Sequence, residues 1–121
     1  MAVLTIGLTQ KSLNEPDEVR SLPKTTVNVV TIGEHTVMRA RFEPGWRWSE
    51  CVKPAVGTDL CEVPHLNYHI SGRLRIRMSD GTEFEAKPGD LTEVPPGHDA
   101  WVVGSEPVVV LDFIGAKSYA K

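Results

Sequence analysis

The stretch from Cys61 to Gly72, CEVPHLNYHISG, concentrates side chains that could ligate a metal ion. Pro64 cannot donate a hydrogen bond to a sheet ladder, so a strand is expected to begin directly after it. Alternation along that strand places His65, Asn67 and His69 on one face. Imidazoles on a common face, with a thiol just upstream, are ligands of the kind that zinc and iron accept. The alternative is that this polar face is the solvated exterior of a sheet.

The elements around this stretch follow a period of two. In GRLRIRMSD, Leu74, Ile76 and Met78 alternate with arginines, and Asp80 with Gly81 predicts a tight hairpin turn into TEFEAK. KPGD predicts another turn before a short strand, LTEV. Further strands are predicted over Thr26 to Ile32, Thr36 to Phe42, Trp46 to Val52, His65 to Ile70, Ala100 to Val103 and Val108 to Ile114. Many short strands bounded by turn residues indicate an all-β sandwich or barrel.

The first part of the chain differs from this pattern. NEPDEVRSL, from Asn14 to Leu22, is interpreted as a short helix, because Asn14 could cap it and Pro16 suits its first turn. Residues 1–25 are therefore expected to form an N-terminal arm with this helix, and residues 26–121 the barrel. A chain of 121 residues accommodates one domain around a single core. The sequence predicts an all-β, single-domain protein with at most one short helix.

Three segments resemble the two signature motifs of the cupin superfamily: PGWRWSEC, HLNYHISGRL and KPGDLTEVPPGHDAW. Gly45 and Gly72 match the glycines that begin and end the first motif. Gly89, Pro95 and Gly97 match the second motif in spacing. The resemblance implies a small antiparallel β-barrel, a jelly-roll-like double-stranded β-helix whose inward side chains converge near one mouth.

The ligand positions depart from the usual cupin pattern. Cys51 stands where the first histidine of the family would be, Lys53 where the second would be, and His65 where the glutamate would be. Ala100 takes the histidine position of the second motif, with His98 two residues earlier. The metal ligands that the resemblance implies are Cys51, His65 and His98, with His69 or Cys61 as a fourth.

Such a set of thiol and imidazole groups favours zinc or iron over manganese or nickel as the divalent metal. Each ligand has a plainer interpretation. A free cysteine often behaves as a small buried hydrophobe, and this alternative is stronger for Cys61, which lies in an irregular loop. His98 follows a glycine and could simply hydrogen bond to the backbone of a turn.

A small polar or anionic ligand is expected in the same barrel. The candidate residues that would bind it are Lys53, Arg47 and Asn67. Lys53 would supply positive charge if it points inward, although a lysine before a proline is more often a solvated loop residue. The arginine stripe at Arg73, Arg75 and Arg77 could bind an anion, but a solvated sheet face is the commoner explanation.

A homodimer is also expected. If Cys51 faces the barrel interior, alternation over Trp46 to Val52 turns Trp46 and Trp48 outward. Exposed aromatic groups usually mark an interface, so the N-terminal segment or a second subunit is expected to cover them. Homodimerisation is also what the cupin resemblance implies.

Charge and composition narrow the class of partner. A formal net charge of −3 disfavours binding to nucleic acid or to an anionic membrane. The sequence shows no apolar stretch approaching the length of a membrane span, which predicts a cytoplasmic protein. In a reducing compartment the two cysteines are not expected to form a structural disulfide.

Two functions follow from these observations. The first is a small metal-dependent enzyme, an isomerase, lyase or dioxygenase, in which His69 or Glu50 handles a proton. The second is a non-catalytic barrel that binds or senses a small molecule without metal. The absent His-x-His pair favours the second, and the cysteine and histidines at signature positions favour the first.

Overall fold

The computed structural model describes residues 7–121, which form mainly antiparallel β-structure. The strands are β1 (Glu18–Leu22), β2 (Thr25–Ile32), β3 (His35–Phe42), β4 (His65–Ser71), β5 (Arg73–Met78), β6 (Glu83–Ala86), β7 (Leu91–Val94), β8 (His98–Val103) and β9 (Val108–Asp112). Two single-turn helices, α1 (Trp48–Cys51) and α2 (Lys53–Val56), lie between β3 and β4. The all-β prediction is confirmed.

The strands form two sheets that share one core. The larger sheet has the order β1-β2-β3-β9-β4-β7, and the smaller has the order β6-β5-β8. Val27 and Met38 from the larger sheet and Leu74, Ile76 and Val102 from the smaller one belong to a single cluster of buried apolar residues. Every pairing between neighbouring strands is antiparallel. One continuous core between two sheets explains why both sheets show a period of two.

Strand β4 carries the polar row of the sequence. Its burial alternates, with His65, Asn67 and His69 buried and Tyr68 and Ile70 exposed. The three polar residues therefore share one face, as alternation predicts, and this face is directed to the interior. The solvated-exterior interpretation of His65 and His69 is wrong.

Gly72 follows this strand at a point of close backbone approach. Its φ is +74°, and a Cβ added there would lie 2.4 Å from the carbonyl oxygen of Pro107. Only glycine fits both constraints. This supports the turn that carries the chain from β4 in one sheet to β5 in the other.

The helix predicted from Asn14 to Leu22 is wrong. The segment begins with a turn and continues as β1, in which Val19 lies opposite Asn28 of β2. Capping signals in the first turn stabilise a helix by about 1 kcal/mol, and a helix this short is marginal without packing. A full ladder with β2 and a buried Arg20 outweigh those local signals.

The strand predicted from Trp46 to Val52 is also wrong, because the chain forms α1 there and then α2. Trp46 and Trp48 are both 2% exposed, so the prediction that they face outward fails with it. Trp46 stacks on Phe42 at a centroid distance of 3.9 Å, and its Nε1 donates a hydrogen bond to Thr25 Oγ1 at 2.8 Å. Burial of both indoles within the protein's own core removes the argument that they require a second subunit.

Two further sequence expectations concern thiols and membrane spans. Cys51 and Cys61 are both buried free cysteines. Across residues 7–121, none of the helices has the length and apolar character that a membrane crossing requires.

Candidate metal centre

Three side chains that could ligate a metal meet inside the protein: Cys61, His65 and His98. One ligand atom from each lies within 4.8 Å of the others, and all three residues are buried. Cys61 Sγ is 3.7 Å from His65 Nε2, and the rings of His65 and His98 have centroids 5.1 Å apart. The group therefore contains one thiol and two imidazoles from three separate segments of the chain.

The backbone around Cys61 explains how a loop residue reaches this position. Cys61 and His98 form an isolated β-bridge, in which Cys61 N donates to His98 O at 2.8 Å and His98 N donates to Cys61 O at 3.2 Å. Gly97 N donates to the same Cys61 carbonyl at 2.8 Å. The bridge thus joins the loop to the start of β8. His65 lies four residues after Cys61, at the start of β4.

Each imidazole in the group is oriented by a partner on its Nδ1 atom. His98 Nδ1 donates to the carbonyl oxygen of Pro95 at 2.8 Å. His65 Nδ1 donates to Asp112 Oδ2 at 2.5 Å. With Nδ1 as the donor in both rings, Nε2 is the ring atom left for a ligand, and in His65 it faces Cys61 Sγ. This is the arrangement in which a second partner fixes the tautomer and orientation of a metal-ligating histidine.

Asp112 is fully buried and held as a carboxylate. Burial alone would raise the pKa of Asp112, but the hydrogen bond from His65 and those from the Gly115 and Ile114 N–H groups outweigh it, so the pKa lies below its ordinary value. Those backbone N–H groups donate to Oδ1 at 2.9 and 3.0 Å. The second oxygen remains available to His65.

Burial also sets the charge of two members of the group. It raises the pKa of the Cys61 thiol to about 11, since little compensates the loss of water around a thiolate. It lowers the pKa of His98 to about 4, so this imidazole is neutral at neutral pH. Without a bound cation Cys61 is therefore a protonated thiol, whereas metal ligation displaces that proton.

The donor set fits a divalent transition metal. Thiolate and imidazole are the ligands found in tetrahedral zinc sites and in several iron sites, whereas magnesium and calcium require oxygen ligands. A thiolate at Cys61 and the Asp112 carboxylate behind His65 would together balance two positive charges. The residue types, the histidine tautomers and the charge of the site all suit such an ion.

Two other predicted ligands lie elsewhere. Cys51 ends α1 and belongs to the apolar core cluster. His69 is 1% exposed, and its Nε2 is hydrogen bonded to Thr92 Oγ1 at 2.9 Å. Burial lowers the pKa of His69. The group of three does not include Cys51 or His69. It does include Cys61, for which packing was the stronger alternative interpretation.

The charged residues predicted to bind substrate also lie outside the group. Lys53 begins α2, is half exposed, and its Nζ is 3.5 Å from Asp59 Oδ1. Arg47 stacks over Trp101 at 4.4 Å and its Nε donates to Asp99 Oδ2 at 3.2 Å.

Two more charged groups from the sequence face solvent. Glu50, one of two residues expected to handle a proton, is exposed. In the arginine stripe, Arg73 pairs with Glu85 and Arg75 with Glu83.

Asn67 is the predicted substrate residue that faces the interior. It lines a small cavity, named here the inner chamber, of about 30 Å³. The chamber is bounded by Met38, Phe42, Trp46, Trp48, His65, Asn67, Leu74, Ile76, Val94, His98, Ala100, Val110 and Tyr119. Within the described part of the chain, none of these lining residues is Lys, Arg, Asp or Glu. The chamber thus joins two imidazoles of the group to an amide through apolar walls.

The C-terminal segment closes one side of the site and was not anticipated from the sequence. The ring of Tyr119 lies edge-on to that of His65, with centroids 5.2 Å apart, and burial raises the pKa of Tyr119 well above its ordinary value. Arg20 Nη1 donates to the carbonyl oxygens of Ala116 and Tyr119, both at 2.7 Å. Arg20 therefore connects β1 to the segment that covers the site.

Asp112 was likewise missed as a site residue. The signal was present in VVVLDF, where a carboxylate ends an apolar strand, because a buried charge requires a partner.

Comparison with known proteins shows the fold. No protein-family model matches the sequence, and no curated protein matches it. A protein of unknown function from Rhizobium leguminosarum bv. viciae superimposes with a TM-score of 0.65 at 19% identity, over 90% of this chain and 97% of that one. A Klebsiella pneumoniae protein with a double-stranded β-helix domain gives 0.58 at 19% identity, over 91% of each chain.

A cupin-like protein from Thermotoga maritima superimposes with a TM-score of 0.51 at 16% identity, over 78% of this chain and 79% of that chain. These likenesses define the class of fold, a double-stranded β-helix of the cupin type. The resemblance to cupins read from the sequence motifs is confirmed at this level.

Proposed function

We propose that this protein binds one divalent transition metal, zinc or iron, through Cys61, His65 and His98, and holds a small molecule beside it in the inner chamber. The observation that carries this proposal is the shared orientation of the two imidazoles. Both Nδ1 atoms are occupied by hydrogen bonds, to Asp112 and to Pro95 O, which leaves both Nε2 lone pairs available near the thiol.

The chemistry would be that of a small metal-dependent enzyme, an isomerase, lyase or dioxygenase. When bound, the metal would supply a Lewis acid for a carbonyl or hydroxyl oxygen of the substrate. The chain itself would exclude water with the walls of the inner chamber and orient the ligands through Asp112 and Pro95. Tyr119 keeps its phenolic proton at neutral pH, because burial raises its pKa, and its ring covers His65.

A second candidate is a barrel that binds a small molecule without metal. It is supported by the protonation states of the group, since a neutral Cys61 thiol and a neutral His98 can remain buried together without a cation. In this case the inner chamber alone would be the binding site.

Metal content separates the two candidates. Protein purified without an affinity tag is analysed for zinc, iron, nickel and manganese, alongside Cys61→Ala and Cys51→Ala. We expect about one equivalent of zinc or iron in the wild type and in Cys51→Ala, and less than a tenth of that in Cys61→Ala. Because both cysteines are buried, Cys51→Ala controls for the loss of a buried thiol. Metal-free wild type with an intact fold would support the binding barrel instead.

Cobalt provides an independent check of the ligands. Cobalt(II) added to metal-free protein should produce near-ultraviolet thiolate-to-cobalt absorption, which Cys61→Ser abolishes and Cys51→Ser preserves. Absorption that depends on Cys51 would show that the wrong thiol has been assigned.

The remaining attributes are part of the same proposal. A net charge of −3 supports a small-molecule partner rather than nucleic acid or a membrane. The proposed location is the cytoplasm. A homodimer is supported by the exposed apolar side chains of Tyr68 and Leu91, which lie opposite each other on the outer face of β4 and β7. Sedimentation equilibrium measures this directly, and Leu91→Glu should shift a dimer toward monomer.

A further inference from the structure

The amide of Asn67 lacks a partner where one is needed. Among residues 7–121, its Oδ1 is the buried side-chain oxygen or nitrogen for which the structure gives no hydrogen bond. The residue is 7% exposed. Buried acceptors are almost always hydrogen bonded, and one left alone destabilises the fold. An orphan acceptor in the wall of a cavity therefore points to something that occupies the cavity.

The position of Asn67 relates it to the candidate metal centre. It follows His65 by two residues on the same face of β4, which corresponds to about 7 Å along a strand. Both residues line the inner chamber, as does His98. A molecule of a few atoms that reaches Asn67 at one end therefore lies beside His65 and His98 at the other.

We propose that Asn67 Oδ1 accepts a hydrogen bond from the hydroxyl group of a small, uncharged, partly apolar ligand in the inner chamber. The inference rests on the proposed function, whose substrate class it names. An oxygen acceptor selects a ligand that carries a donor, and a hydroxyl group is among the smallest uncharged donors, which suits a chamber of about 30 Å³. Aliphatic and aromatic walls such as Met38, Val110 and Phe42 select an apolar body, and the absence of Lys, Arg, Asp and Glu among the described lining residues selects against a charged one.

Water is a poorer occupant than an alcohol. The cavity volume would hold about two water molecules, each of which needs two to four polar partners. Apolar side chains form most of the wall, so water there would leave its own hydrogen bonds unmade. A small alcohol satisfies the amide with its hydroxyl group and buries its carbon atoms against the same walls.

The test compares two isomers, ethanol and dimethyl ether, which have the same atoms but differ in that only ethanol donates a hydrogen bond. Methyl resonances of Met38 and Val110 report occupancy of the chamber during titration of the protein as purified. We expect ethanol to bind about 10-fold more tightly than the ether, the value of one well-made hydrogen bond to an otherwise unpaired group. In Asn67→Leu this preference should disappear.

The matched control is Asn28→Leu. Asn28 is also a strand asparagine, but its Nδ2 donates to Leu13 O at 3.0 Å and it lies outside the chamber lining. This variant should keep the preference for ethanol. Asn67→Leu should also unfold at a higher temperature than the wild type, since it removes an unpaired polar group, whereas Asn28→Leu should unfold at a lower one.

Several results would overturn the inference. Equal binding of the two isomers to the wild type would do so without any variant, and so would an ethanol preference that persists in Asn67→Leu. Failure of ethanol to shift the chamber methyls would show that the cavity holds water only. Metal analysis of the same samples keeps the two proposals apart, because Asn67→Leu should retain the metal content of the wild type.

Discussion

Asp112→Asn is the sharpest perturbation of the candidate metal centre. The carboxylate is 0% exposed and accepts a hydrogen bond from His65 Nδ1. It also accepts hydrogen bonds from the N–H groups of Ile114 and Gly115. Asparagine would keep its oxygen on the backbone donors, which also include Leu66 N at 3.3 Å, and turn its NH₂ group toward His65. The imidazole would then have to accept at Nδ1, which moves its proton to Nε2, the atom that faces Cys61.

The size of the effect follows from this reversal of tautomer. Loss of a hydrogen-bonding partner behind a ligating histidine weakens metal binding by about 10- to 100-fold, or about 1.4 to 2.7 kcal/mol. The metal-free fold should also lose about 1.5 to 3 kcal/mol of stability, the value of hydrogen bonds to a charged group. The two effects have different causes and are measured separately.

Competition with a chromophoric chelator gives the zinc affinity, and urea unfolding of metal-free protein gives the stability. Asp17→Asn is the control, because Asp17 accepts the Thr31 N–H but lies at the surface, away from the site. Its zinc affinity should match that of the wild type. Zinc affinity of Asp112→Asn within threefold of the wild type would refute the assignment of Asp112 as the residue that orients His65.

Three further changes test other parts of the site. Gly115→Ala should weaken zinc binding at least 10-fold in the chelator assay, because a Cβ there would lie 2.4 Å from Asp112 Oδ2; unchanged affinity would contradict this arrangement. Arg20→Met should lower the free energy of unfolding by about 2 to 3 kcal/mol, since it leaves two carbonyl oxygens of the C-terminal segment unpaired, whereas exposed Arg41→Met should change it by under about 0.5 kcal/mol. Because burial lowers the pKa of His98 from 6.5 to about 4, the unfolded chain binds this proton first, and metal-free protein should lose up to about 3 kcal/mol as the pH falls from 6.5 to 4. His98→Gln should flatten that slope, and an equally steep slope in this variant would assign it to other groups.

Local pattern predicted which residues of β4 share a face, but not which face is buried. Pro64 fixed the start of the strand, and alternation then grouped His65, Asn67 and His69. In HLNYHIS the face with His65, Asn67 and His69 is polar, so periodicity alone favoured it as the solvated exterior, which is the wrong orientation. The cupin spacing resolved this because it requires His65 to point inward.

The path of the chain between β3 and β4 could not be read from the sequence. WRWSEC alternates like a strand, yet Trp48 and Cys51 are also three residues apart, as on one side of a helical turn, and the structure forms α1 there. Choosing Cys61 over Cys51 depended on the bridge between Cys61 and His98, a pairing of residues distant in sequence. Such pairings are set by the whole fold and leave little local signal.

The interior polar residues of β4 differ in whether the fold itself supplies them with a hydrogen-bond partner. His69 is paired with Thr92, and His65 with Asp112, so these imidazoles are held within the fold. Asn67 lies between them, and within residues 7–121 its Oδ1 has no such partner. A strand shaped by stability alone would place an apolar residue there, because an unpaired buried amide costs about 1 to 3 kcal/mol. Asn67 lines the same inner chamber as His65 and His98, whereas His69 does not, and this argues that ligand and metal occupy one continuous site.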